Sequence, residues 1–310
     1  MRNLSLVISH LTLVILFLSC QTVPIIPHAQ YEKADYAPLD TGAQVYIFAD
    51  VKESRGIIEI LPIIELQNPQ VKMILDRTDF IAAAVFGEDS GRRFQLTAWG
   101  KYPSAANAVF SSNKNWKKQK DQKNRNYWHS SADKLSLALN SNNIIASARL
   151  DGIPESPFAE DAGIEIPEGF NEFRAEKKYQ RSLNSAFDEF PKAPFSCWLE
   201  TPDDAVSRIL NEAGVPIRLP FQKLFISLYN DQHAQKQYIA RILFQFENIS
   251  HARGTAAIIN LAGGLTAGNK FINSLLFFNP VTQEGRNLEF VSAPLDEEDI
   301  INIFKMFFLF

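Results

Sequence analysis

The sequence predicts an α+β protein built from two similar halves, each an antiparallel sheet with helices on one face. Three observations carry this. Short β-rich runs alternate with turn signals in two clusters. Each cluster holds a segment with helix start signals between its hairpins. A proline-broken, acidic stretch separates the two clusters. The expected layout is residues 1–19 as an export signal, 20–43 as a tether, 44–150 as the first half, 151–193 as a linker and 194–310 as the second half.

The 310 residues are 46% hydrophobic and 21% charged, with a formal net charge of −4 and two cysteines. That excludes collagen-like, disulfide-scaffold and disordered chains. Only one apolar run approaches the length needed to span a membrane, and it lies at the N-terminus. The mild acidic balance gives no reason to expect nucleic acid as a partner.

Arg2 precedes the mostly apolar run Leu4 to Leu18, after which the chain turns polar and proline-rich. A basic start, a short apolar core and a small residue before the break form a secretory signal. An uncleaved anchor or a buried helix is the alternative. Cys20 stands where the apolar run ends, after Phe17-Leu18-Ser19. This segment resembles a bacterial lipoprotein signal in its relaxed, spirochaete-like form. The resemblance implies cleavage before Cys20, diacylglycerol on its thiol and a further acyl chain such as palmitate on its amine. Ser19 fits the small residue before the cut, whereas Phe17 and Leu18 depart from the usual pattern. Gln21 is not the Asp that favours inner-membrane retention, so the resemblance implies the outer membrane. Two or three acyl chains suffice for stable anchoring. Beyond residue 20 the sequence resembles no family by its motifs.

In the first half, Gln44 to Ala49 reads as a strand. Phe80 to Phe86 and Phe94 to Trp99 form a hairpin around Gly87-Glu88-Asp89-Ser90-Gly91. A short helix starts near Pro103. Asn126 to Ser130, Leu135 to Asn140 and Ile144 to Arg149 are three further strands.

The second half repeats that order. Phe195 to Leu199 is a strand, and Thr201 caps a helix that stops at Gly214. Lys223 to Tyr229 and Tyr238 to Phe246 form a hairpin, Ser250 caps a helix running to Ala262, and Phe271 to Phe278 and Asn287 to Val291 are strands. A last helix begins at Asp296, with acidic residues in its first turn.

No segment carries recognisable catalytic or metal chemistry. Gly263 to Asn269 is glycine-rich but lacks the Gly-Lys-Ser/Thr of a phosphate loop. The Asp89-Ser90-Gly91 triplet sits in a hairpin turn. His10, His28, His129, His233 and His251 show no ligand spacing. No catalytic residue, metal or cofactor is expected, and the protein reads as a non-enzyme. Cys197 lies in an apolar, strand-like run and reads as core.

Two features remain as candidate contacts with a membrane or anionic surface. Lys114, Lys117, Lys118, Lys120, Lys123 and Arg125 form a basic island flanked by Trp116. It reads first as a solvated loop between helix and strand, and second as a lipid-facing patch. The C-terminal segment carries Phe304, Phe307 and Phe308 at helical spacing. It reads first as a core helix, then as a helix lying in a lipid interface, and last as the closing strand of a barrel. The function expected is that of a lipid-anchored envelope protein binding an apolar ligand or a membrane surface. A structural or host-facing interaction protein and an enzyme of unrecognised type are the alternatives. The expected partners are the membrane, through the N-terminal lipid, and a lipid or envelope protein. Removal of the signal leaves 30 basic against 35 acidic residues, a formal charge of −5.

Overall fold

The computed structural model describes residues 39–61, 72, 74–87, 93–103, 106–132, 134–140, 142–149, 155–158, 193–200, 221–230, 237–262, 274 and 281–308. The chain divides into two compact units, Met1–Ile166 and Pro167–Phe310. The signal, most of the tether and linker, the Thr201 helix and the Gly263 turn lie outside the described residues. No described helix is long and apolar enough to cross a membrane.

The first unit holds β1 (Val45–Asp50), α1 (Arg55–Ile60), β2 (Thr78–Val85), β3 (Arg93–Gly100), α2 (Ala106–Ser112), β4 (Trp116–Lys120), β5 (Asn126–Ser130), β6 (Leu135–Leu139) and β7 (Asn143–Arg149). Its strands follow the order β1-β2-β3-β7-β6-β5-β4, and each strand pairs antiparallel with its neighbours in that order. After the β2–β3 hairpin, α2 carries the chain to the far edge, and three hairpins then return it to β3. Their turns use Asn124 and Lys134 at positive φ (62° and 55°), a conformation that Asn tolerates better than Lys.

The second unit holds β8 (Phe195–Leu199), β9 (Phe221–Asn230), β10 (Tyr238–Phe246), α3 (Ile249–Ala262), β11 (Thr282–Glu284), β12 (Asn287–Val291) and α4 (Glu297–Phe308). Its strands follow the order β8-β9-β10-β12-β11, again antiparallel. Strand for strand this repeats β1-β2-β3-β7-β6. In both units a helix follows the central hairpin. The first unit adds β4 and β5.

Strand pairing sorts each sheet into two faces, because directly opposed residues share a face. One face of the first unit is apolar. Leu96, Ala146, Leu137 and Trp128 lie in one row across it, and Phe110 of α2 packs onto it. The Phe110 ring meets Trp116 edge-on at 4.9 Å and stacks on Trp128 at 5.8 Å. In the second unit Phe304 of α4 meets Phe195 edge-on at 5.3 Å. Phe221, Phe244 and Phe290 form a chain of edge contacts on the same face of that sheet. Burying one such ring stabilises by about 1.5–3 kcal/mol, so these rows fix the register.

Four expectations change. Trp116 to Lys120 is a strand, not a loop: an edge strand needs no apolar alternation on its solvent side. Ser274 has helical backbone within a run read as a strand. The α3 cap is Asn248, whose Oδ1 accepts the His251 N–H at 2.9 Å, rather than Ser250. The short helix α1 and strand β11 carry no sequence signal strong enough to place them. Asp296 caps α4 as expected. It forms a reciprocal box in which its Oδ1 accepts the Asp299 N–H at 2.9 Å and its own N–H reaches the Asp299 carboxylate at 3.2 Å.

Candidate functional site

The basic island sits on β4, which among the described residues is the edge strand of the first sheet. Lys117, Lys118 and Lys120 are exposed along β4, with Lys114 in the turn before it and Lys123 in the turn after it. Lys117 lies opposite His129 and Lys118 opposite Trp128, so the lysines project on both faces of the edge. Lysines on an edge strand also block pairing with a second sheet. Arg125 is held differently. Its backbone N–H and its guanidinium both bind Asp121, at 2.6 and 2.5 Å, and its guanidinium covers the Phe158 ring at 4.1 Å. Burial works against the Asp121 carboxylate, but the Arg125 N–H and charge and the Lys123 N–H outweigh it and hold that carboxyl below its usual range.

Two expected surface contacts are corrected. Trp116 is 5% exposed and Phe304 is 3% exposed. Trp116 is a core residue because its partner face on β4 is covered by Phe110, and Phe304 because α4 turns it onto Phe195. Phe307 and Phe308 belong to α4, but their side chains lie outside the described residues, as does Cys20. Cys197 is fully buried in β8, and burial pushes its thiol far above the usual range.

The opposite face of the first sheet carries a polar row that sequence reading did not find. Across the strands run Tyr46, Ala84, Gln95, Ser147, Ser136, His129 and Lys117, each opposed to the next. All but Lys117 are buried. Two chain segments lie over this row. From the N-terminal side, the Asp40 N–H donates to Gln95 Oε1 at 2.9 Å, and Gln95 Nε2 donates to the Asp40 carboxylate at 2.6 Å. The Tyr46 hydroxyl accepts the Ala43 N–H and donates to the Asp40 carbonyl. After β7, Glu155 accepts from Ser147 Oγ at 3.3 Å, and Phe158 packs on Tyr127, Ala138 and Ile145. Arg93 joins the two segments. Its Nη1 donates to Asp40 Oδ2 at 2.9 Å and to Glu155 Oε1 at 2.5 Å, while its guanidinium covers the Phe86 ring at 3.8 Å.

His129 Nδ1 lies 3.1 Å from Ser136 Oγ. Burial, and then the Lys117 charge, lower its pKa, so the ring favours its neutral form. Both side chains are buried, and no carboxylate orients the imidazole among the described residues. In the second unit the corresponding face holds Ser196, Ser227 and Arg241 in one row, with Arg241 paired to Glu289. Burial raises the Glu289 carboxyl, and the Arg241 charge opposes that rise. No group of three or more metal-ligating side chains occurs among the described residues. The Arg93 and Arg241 clusters have no local motif, because their partners lie 48 to 62 residues apart in the chain.

Comparison with known proteins supplies the family that the motifs did not. Three solved structures share the fold, each described as a crystal form of TP0453. Form III is 15% identical with a TM-score of 0.54, covering 86% of this chain and 96% of that one. Form IV is 17% identical with a TM-score of 0.55, covering 87% and 97%. Form I is 15% identical with a TM-score of 0.54, covering 88% and 97%. No curated protein matches the chain. The profile of the outer membrane-associated lipoprotein TP0453 matches residues 36–274, which takes in the first unit's sheet and most of the second's. The chain therefore belongs to the TP0453 family of outer membrane-associated lipoproteins and is a lipid-anchored protein of the cell envelope.

Proposed function

We propose that this protein is a non-catalytic lipoprotein, anchored through acyl chains on Cys20, whose β4 edge rests against anionic lipid headgroups. The observation that carries this reading is the set of five exposed lysines, Lys114, Lys117, Lys118, Lys120 and Lys123, along one edge strand and its two turns. A lysine near an anionic lipid surface gains about 1 kcal/mol. The strand fixes Lys117, Lys118 and Lys120 along the edge, on both of its faces, where a loop would scatter them. The acyl anchor supports the reading by confining the protein to the membrane surface, where attraction acts over a Debye length of about 8 Å.

The test uses the acylated full-length protein in vesicles of phosphatidylglycerol or of phosphatidylcholine alone. Amine-reactive labelling of the five lysines is read by mass spectrometry. The reading expects protection in phosphatidylglycerol vesicles that is lost at high salt. Equal labelling of these lysines in the two vesicle types overturns it.

A further inference from the structure

We propose that Arg93 couples the chain arriving from the N-terminal side to the chain leaving β7, by holding one carboxylate from each. The geometry is specific. A single nitrogen, Nη1, donates to both Asp40 and Glu155, which lie 53 and 62 residues from Arg93 in opposite directions along the chain. The three side chains are largely shielded, at 15% for Arg93, 8% for Asp40 and 17% for Glu155. One guanidinium nitrogen therefore holds two carboxylates in a place where water screens charge weakly.

Sharing that donor gives the arrangement its behaviour. Each carboxylate is attracted to Arg93 and repelled by the other. Removing one strengthens the hold on its rival, and removing Arg93 leaves both repelled and only partly held. Each segment keeps a second attachment of its own. Asp40 has Gln95, and Glu155 has Ser147. Beneath the two segments lies the buried row of Gln95, Ser147, Ser136 and His129, which release would wet.

The consequence is a reciprocal device. Displacing the segment at Asp40 tightens the grip on Glu155, in the segment that follows β7. A change at the end nearest the lipid anchor is thus relayed across the sheet without any movement of the strands. This inference does not depend on the lysine edge.

The test is hydrogen exchange of the full-length lipoprotein in detergent micelles, followed at residues 40–46 and 155–158. Asp40→Asn should speed exchange in 40–46 and slow it in 155–158, and Glu155→Gln should do the reverse. Arg93→Gln should speed exchange in both, by about tenfold or more, with β5 and β6 unchanged. Adding Glu155→Gln to Arg93→Gln should then restore part of the protection at 40–46. The two single carboxylate variants keep Arg93, so they test the coupling even if Arg93→Gln does not fold. The proposal fails if each carboxylate variant alters only its own segment. It also fails if the double variant exchanges at 40–46 as fast as Arg93→Gln alone.

Discussion

Arg241 and Glu289 are joined diagonally across neighbouring strands. Arg241 of β10 stands opposite Val291 of β12, and Glu289 lies two residues along on the same face. Both side chains are almost wholly buried, at 2% and 5% exposure. A buried pair of this kind contributes little net stability, because desolvating two charges offsets their attraction, but a lone buried charge is costly. Arg241→Leu should therefore destabilise by about 3–5 kcal/mol, and the Arg241→Leu/Glu289→Leu double variant should recover most of that loss. Urea denaturation read by tryptophan fluorescence checks this, since Trp198 lies buried in β8 of the same sheet. A double variant no more stable than the single one would show that the pair is not self-contained.

His129 predicts an acid-sensitive edge. Its folded-state pKa lies below the ordinary value of 6.5, because burial and then Lys117 disfavour the imidazolium. Its other strand neighbour, Ser136, brings no charge. The unfolded chain therefore takes up a proton that the folded chain resists. Stability should hold above about pH 6.5 and fall below it, by at most about 1.4 kcal/mol per pH unit, until the folded-state pKa is passed. His129→Gln should remove this part of the slope. Urea midpoints between about pH 7.5 and pH 5 measure it, and an unchanged difference between wild type and variant would remove His129 as the source.

The strands were legible in the sequence where burial was one-sided or complete. Phe195 to Leu199, Tyr238 to Phe246 and Asn126 to Ser130 were read within a residue or two, because apolar runs bounded by turn residues leave little choice. The strand β4 was not legible. Its only deeply buried side chain is Trp116, and lysines on its open side imitate a loop. The burial of Cys197 followed from its neighbours. The Arg93 cluster could not be found. Asp40, Gln95, Ser147 and Glu155 are ordinary residues in the sequence, and only the β3–β7 pairing, which skips three strands, brings them together. Family membership was also hidden, since no short motif marks the body.

Gly100 ends β3 where the β2 backbone folds closest. A Cβ there would stand 2.0 Å from the Arg77 carbonyl oxygen, beside the register shift at Thr78 and Phe80. That oxygen also accepts the Lys101 N–H, so it cannot move away freely. Gly100→Ala should cost about 1–3 kcal/mol through this clash. Gly254 is the matched control. It lies exposed in α3 with nothing within 4 Å of an added Cβ, so Gly254→Ala should stabilise by about 0.5–1 kcal/mol. Thermal midpoints moving in opposite directions are expected. Two shifts of the same sign would contradict the backbone argument.

The box at the start of α4 holds a helix that buries Ile300, Ile303 and Phe304. Asp296→Ala leaves the Asp299 N–H without its acceptor and should cost about 1 kcal/mol, whereas Asp296→Ser should cost much less. Asp299 carries an opposing charge effect. Burial first, and then Asp296 and Glu298, raise its pKa above the ordinary carboxyl value, against the pull of the Asp296 hydrogen bond. A raised folded-state value means that stability is lost as pH climbs through it. Asp299→Asn keeps an oxygen for the Asp296 N–H and removes the repulsion, so it should raise the denaturation midpoint at neutral pH and leave it unchanged in acid. A fall at neutral pH would mean that the negative charge at the helix start outweighs the crowding of carboxylates there.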